Sequence, residues 1–442
     1  MAPGEDEPGA LTPDEVCELA YAVSAVDGCG DDGGDAAMRI TLTEARRLAI
    51  GAQRLAGPRP RPTRAGILEV MRDIGYLQLD PTNVVARSPL LVLWSRLGRY
   101  DAAVLEDLLA RRELFETASL IVPMSDLPAH AASMRAYRAA TSGRSAPFTR
   151  GSLEGAGGGT WPERAAQMLA RNPQLRRSVL ARLKRDGPLP LTAFEDRAIG
   201  SWTSGRWDDE RNVSMMLTIL QRRGEVVVVG RQRGQKLWAL AEGWLPATAP
   251  LSGRALAREA TTRALRALGV ATLRHLRWHH AFGPHITQAA LDALEREGAV
   301  RRVGIVDGEG AWRGTWYAPG DIARRLRAVR DEWEDRTTLM SPFDNLIGDR
   351  ARTEHIFSYR YRTEIYTPPR LRKLGYWAMP VLHGDRVVGS VDPRFDRESG
   401  ELVVNRVVLK PVAPRTATRA LRGAVDELAE FVGADRVVWP RG

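Results

Sequence analysis

Residues 219–230, ILQRRGEVVVVG, end an apolar helical pattern, turn at Gly224 and enter a run of four valines. Residues 293–304, ALEREGAVRRVG, repeat the same order. In both, apolar residues at helical spacing precede a glycine and a β-rich run, the switch from a 3.6-residue to a two-residue period that marks a helix feeding a hairpin. Working outward from 219–230, residues 173–185 read as a helix, Gly187-Pro188-Leu189-Pro190 breaks it, and Thr192 can cap a second helix. Val213, Met216, Leu217 and Leu220 lie on one face of a third, and residues 225–230 and 237–241 form a hairpin around Arg231, Arg233 and Lys236. Three helices and a basic hairpin are the order of a winged helix-turn-helix. Residues 254–268, 273–280, 287–297, 300–306 and 312–317 give that order again.

A third, less regular copy is read at residues 38–150, with Thr43 capping a first helix, a second helix from Thr63 stopped by Gly75, and then Tyr76-Leu77-Gln78-Leu79-Asp80. That run reads as a short strand closed by Pro81. Alternate residues of a strand share a face about 7 Å apart, so Gln78 and Asp80 point together while Leu79 faces the core. Asp before Pro is also an ordinary turn starter, so the trio alone leaves a polar strand end as the plainer reading.

From residue 336 the period becomes two. Phe357, Tyr359, Tyr361, Thr363 and Ile365 alternate with polar residues as in a half-buried strand. Residues 377–382 and 386–392 flank a tight turn at His383-Gly384-Asp385, residues 402–409 form another strand, and residues 416–432 an amphipathic helix. The expected fold class is therefore α+β: three tandem winged helices followed by a small antiparallel, barrel-like β domain. The expected divisions are an acidic disordered tail at 1–37, a first winged helix at 38–150, a Gly-rich linker at 151–165, a second at 166–250, a third at 251–335 and the β domain at 336–442.

Charge narrows the function. The net charge of +10 conceals a tail with ten acidic and no basic side chains in residues 1–37, which leaves 64 basic against 44 acidic, a net +20, on the rest. Such a body attracts a polyanion, most often nucleic acid. Both cysteines, Cys17 and Cys29, lie in the tail, so the body has no thiolate metal site, disulfide or catalytic cysteine. GxxxxGK[ST], GxSxG and HExxH motifs are missing; His275, His279, His280 and His285 crowd together without an accompanying Glu. No metal and no cofactor is expected. Nothing reads as a signal peptide or membrane span, and a monomer in the cytoplasm, associated with the nucleoid, is the expected state.

On a DNA-binding body, a carboxylate beside an amide is what hydrolysis of an N-glycosidic bond requires. The carboxylate stabilises a cationic, oxocarbenium-like sugar and accepts a proton from water that the amide orients. Two readings follow: an enzyme acting through Gln78 and Asp80, or a non-catalytic winged-helix DNA-binding regulator.

Residues 76–101 (YLQLDPTNVVARSPLLVLWSRLGRYD), 111–128 (RRELFETASLIVPMSDLP) and 339–397, which opens LMSPFDNLIGDR, resemble the AlkZ-like DNA glycosylases, specifically the YcaQ (AlkX) branch. The resemblance implies tandem winged helices and a C-terminal β domain around double-stranded DNA carrying alkylated bases. It also implies monofunctional excision of N7-alkylated purines and unhooking of interstrand crosslinks. The family's catalytic motif, Gln-Φ-Gln in one branch and Gln-Φ-Asp in the other, matches Gln78-Leu79-Asp80 in its second form. Arg87 is expected to hold a phosphate, as are Arg231, Arg233 and Lys236 of the basic hairpin. His383 and Asp385 stand where a family hairpin approaches the lesion. The chain departs from the family pattern at Pro89, at Gly348 and in a shortened block after Glu116, which bears on substrate range.

Overall fold

A computed structural model describes residues 38–142, 161–199, 211–411 and 413–440. The acidic tail and most of the Gly-rich linker lie outside them, and residues 161–165, expected as linker, open the helix Trp161–Arg171.

The described residues open with a strand, β1 (Met38–Thr41), where a helical pattern was expected from Ile40. The helix Leu42–Ala52 follows, capped by Thr41 in place of the expected Thr43: Thr41 Oγ accepts the Glu44 N–H at 3.2 Å and the Glu44 carboxylate accepts the Thr41 N–H at 2.7 Å. This reciprocal box satisfies two of the N–H groups a helix start leaves unpaired. The helix Arg64–Ile74 then buries Ile67, Val70, Met71 and Ile74 and stops at Gly75.

Three short strands, β2 (Leu77–Gln78), β3 (Leu114–Thr117) and β4 (Leu120–Pro123), surround the helices Ser88–Leu97 and Ala103–Ala110. The second segment supplies helices Pro173–Asp186 and Asn212–Arg222 with β5 (Leu189–Pro190), β6 (Val226–Gln232) and β7 (Gln235–Leu240). These two groups of strands are one sheet, in the order β2-β4-β3-β6-β7-β5, joined where Glu116 of β3 pairs with Val228 of β6.

The third segment has helices Gly253–Leu268, Leu273–Arg277 and Gln288–Arg296, then β8 (Val300–Asp307), β9 (Gly310–Ala311) and β10 (Trp316–Pro319). Its sheet is completed by β1, parallel to β8 with Met38 opposite Val303. The last segment holds β11 (Thr337–Leu339), β12 (Met379–His383), β13 (Arg386–Asp396), β14 (Glu401–Leu409) and β15 (Arg436–Val438) in that sheet order, with the helix Arg415–Val432 packed on it. The sheet is open, with β11 and β15 as its edges and a parallel last pair, whereas a barrel-like closure was expected.

The expected strand at residues 357–365 is not a strand. Phe357 ends the helix Arg350–Phe357 and the chain then runs unpaired. Tyr359 and Tyr361 are buried, as the alternation demands, but their hydroxyls donate to the carbonyls of Gly389 (3.1 Å) and Ala378 (2.7 Å). A side chain that supplies its own donor satisfies burial without a ladder.

One core joins the first segment to the last: Ile67, Val70, Met71, Ile74, Leu77, Leu91 and Trp94 are continuous with Trp377, Val381, Val391, Leu421 and Leu428. The strand carrying Gln78 is thus fixed against parts of the chain some 300 residues away.

Candidate active site at the end of β2

Gly75 hands the chain from helix to strand at φ 87°, and a Cβ there would stand 3.3 Å from the His279 ring. Only glycine meets both conditions easily. Leu77, fully buried, pairs with Ile121, and Gln78 pairs with Leu120. The Leu79 N–H donates to the Ser119 carbonyl at 2.8 Å, after which Pro81, lacking an N–H, takes the chain out of the sheet.

Asp80 Oδ1 accepts the Thr82 N–H at 2.8 Å, the turn that Asp before Pro predicts. Its other oxygen and the Gln78 amide take no hydrogen bond among the described residues, and both side chains are half-buried. An amide and a carboxylate oxygen, two residues apart, are therefore uncommitted at the strand end. Leu79, between them in sequence, packs with the core and lines a cavity of about 1090 Å³ together with Val85, Pro89, Tyr100, Phe395 and Phe431.

Three supports hold this strand end. Asn345 donates its amide to the carbonyls of Ile74 (3.3 Å) and Tyr76 (3.0 Å), and Ser341 and Ser88 share a hydroxyl bond at 2.8 Å. Behind them Arg96 and Asp344, both wholly buried, form a two-pronged ion pair whose Nη2–Oδ1 arm is 2.9 Å. Arg96 Nη2 also reaches Gln53 Oε1 at 3.1 Å. Removing one partner of such a pair costs about 3 to 5 kcal/mol, because the other charge is left buried. The third support is the β13–β14 hairpin. Its Phe395 N–H donates to Val84 O at 3.1 Å, and Arg397 reaches Asn83 Oδ1 (3.2 Å) and Val85 O (3.0 Å).

Arg87, the expected phosphate ligand, is half-buried at the start of the helix Ser88–Leu97 and borders the large cavity. Arg233 lies exposed at the β6–β7 turn. Arg231 and Lys236 instead turn toward Glu116, at 2.5 and 3.6 Å; Glu116 is only 2% exposed, so these cations neutralise a buried carboxylate.

His383 and Asp385 are not brought to the pair. The hairpin that touches the loop after Asp80 is at the opposite end of β13, nine residues or about 30 Å along the strand. His383 is held there by Thr337 (2.7 Å) and Thr416 (3.3 Å), and Asp385 lies 3.7 Å from Arg386. Arg397, Asn345 and Ser119 are the positioning groups that residue types alone did not single out, although all three fall inside the blocks quoted above.

The clustered histidines are engaged separately. His275 accepts the Thr272 N–H at 3.2 Å, His285 pairs with Ser133 at 2.7 Å, and His280 stacks on Tyr76 with ring centroids 5.5 Å apart. Burial, then the neighbouring His280, pushes His279 down to about 3. Tyr76 is held above the ordinary tyrosine range by burial and then by the Asp344 charge. No group of three or more His, Cys, Asp or Glu able to hold a metal occurs among the described residues.

The departures from the family pattern have local explanations. Pro89 sits in the first helical turn, where its missing N–H costs nothing. The shortened block after Glu116 is a two-residue turn with Ala118 (φ 46°) and Ser119 (φ 64°) both left-handed. Gly348 borders a small cavity beside Tyr76 and His279.

The chain is a mixed α+β protein with three sheets, and an amide and a carboxylate stand two residues apart at the end of one strand. The sequence model of the AlkZ-like DNA glycosylases matches residues 71–431, and the chain belongs to that family; it is a DNA glycosylase. In fold it is similar to the DNA glycosylase AlkZ of Streptomyces sahachiroi, at 18% identity and a TM-score of 0.57, over 91% of this chain and 100% of that one.

Proposed function

We propose that this DNA glycosylase is monofunctional and hydrolyses the N-glycosidic bond of N7-alkylated purines, including those in interstrand crosslinks, with Gln78 and Asp80 as its catalytic pair. The observation that carries the reading is a Gln78 amide and an Asp80 carboxylate oxygen, two residues apart at the end of β2, that take no hydrogen bond among the described residues. An N7-alkylated purine is already cationic, so its departure needs no general acid. As the C1′–N bond breaks, the Asp80 carboxylate stabilises positive charge on the sugar; Gln78 holds water on the free face; the water oxygen bonds to C1′ and its proton passes to Asp80.

The three helix-and-hairpin units are read as winged helices that dock on duplex DNA, with Arg87 and the exposed Arg233 on phosphates. A monofunctional course agrees with the scarcity of lysine: the chain has four, Lys184, Lys236, Lys373 and Lys410, and β-elimination through a Schiff base needs a lysine or an N-terminal amine.

The test uses duplex carrying a defined N7-alkylguanine, scored for alkali-labile abasic sites. Asp80→Asn and Gln78→Ala should each lower single-turnover release at least about 100-fold, the scale of one general-base or positioning group, with DNA affinity kept within about tenfold. Wild-type release rates in either variant would sink the assignment.

A further inference from the structure

Six large apolar side chains are prominently exposed among the described residues, and three of them fall within eleven residues: Tyr366 (65%), Leu371 (59%) and Tyr376 (39%). Interleaved with them are exposed Arg370 and Lys373, neither of which has a carboxylate partner among the described residues. A cluster of large exposed apolar side chains marks a binding site, and apolar rings alternating with cations fit a polymer with flat faces and a charged backbone.

This segment is built, not slack. The Glu364 carboxylate accepts the N–H groups of Lys373, Leu374 and Gly375 at 3.0, 2.8 and 3.0 Å. Asp392 accepts those of Tyr376 (3.2 Å) and Trp377 (2.7 Å). Arg372 donates to Thr367 O at 2.8 Å and lies over the Tyr376 ring, while Arg406 braces the carbonyls of Arg372 and Lys373. Both local acids are thus spent on backbone, and the outward charge is positive. A backbone held this way loses little entropy on binding.

The segment is tied to the block that braces the candidate catalytic strand. Ile365 packs on the extended core that also receives Leu79 and Val84. Arg350 ties Thr363 (3.0 Å) to the carbonyls of Pro342 and Ile347, in the block whose Asn345 holds Tyr76.

We infer that residues 365–377 form a second DNA-contacting platform beside the lesion site, with Arg370 and Lys373 on phosphates and Tyr366 and Leu371 against bases or sugars where the stack is opened. The inference rests on the proposed reading only for the identity of the polymer, and its test involves no turnover. The full chain is titrated with two short unmodified duplexes, one fully paired and one with a single unpaired base, across a salt series. Arg370→Glu with Lys373→Glu should weaken both by at least about tenfold and flatten the salt dependence by about two in log–log slope, the count of phosphates released. Tyr366→Ser with Leu371→Ser should weaken the duplex with the unpaired base about tenfold and the paired one far less.

Unchanged affinities and slope in the charge variant overturn the platform. So does binding to anionic phospholipid vesicles that Leu371→Ser abolishes while both DNA affinities stay intact, which assigns the surface to a membrane. A chain that shows the expected variant effects yet releases no alkylated base upholds the platform and removes only the catalytic reading.

Discussion

Asp80 is placed by other residues' bonds more than by its own. Among the described residues its carboxylate has a single hydrogen bond, from the Thr82 N–H, and the loop beyond it is held by Arg397 through Asn83 and Val85 and by the Phe395 N–H. Arg397→Ala removes two of those three ties without touching the Gln78 or Asp80 side chains. A carboxylate that wanders by about 1 Å from its working position costs on the order of 100-fold in rate. The expected outcome is a kcat lowered about ten- to 100-fold with DNA affinity nearly unchanged, and partial recovery in Arg397→Lys, which keeps the charge but not the fork. An equal loss of kcat and affinity would make Arg397 a DNA ligand instead.

At the scale of elements, the turn between β3 and β4 is strained at two consecutive residues. Ala118 and Ser119 both occupy the left-handed region, which costs a residue with a Cβ roughly 1 kcal/mol, and two-residue hairpins usually place Asn-Gly there. The Ser119 carbonyl receives the N–H of Leu79, so the strain is stored beside the proposed catalytic pair. Replacing Ala118→Asn and Ser119→Gly together should raise stability by about 1 to 2 kcal/mol, read as a shift in denaturant midpoint. If the midpoint stays put or drops, the turn is not strained as its dihedral angles indicate. The two helix-to-hairpin repeats, by contrast, were legible in sequence because each is set by contacts a few residues apart. The alternation at residues 357–365 was legible as burial but not as pairing, since two tyrosine hydroxyls replaced the missing ladder.

The whole molecule closes its core with neutral histidines. Burial, followed by Arg263 and His285, pushes His130 down to about 3, and His279 stands at about the same value. In the unfolded chain both titrate near 6.5. The unfolded state therefore binds protons first as pH falls, so the stability these rings contribute is complete above about 6.5 and drains away toward 3. Each adds a slope of up to about 1.4 kcal/mol per pH unit in that window. Denaturant midpoints should fall steadily from pH 6.5 to 4.5, and less steeply in His130→Phe, whose ring can occupy the same place between Phe115 and Phe282. Parallel slopes in the two proteins would show that His130 titrates normally.

By itself the sequence determined the repeated units, the basic body and the Gln78-Leu79-Asp80 strand end, because each rests on local period, on summed charge or on neighbours two residues apart. The tertiary structure decided what lies far apart in the chain: β1 beside β8, β3 joined to β6, and Asn345 beneath Tyr76. It also decided which end of β13 meets the site. The tight turns beside His383 and Arg397 lie at the two ends of β13, and local propensity is equal to forming either. Only the common core of the first and last segments determines that the Arg397 end is packed against the loop after Asp80.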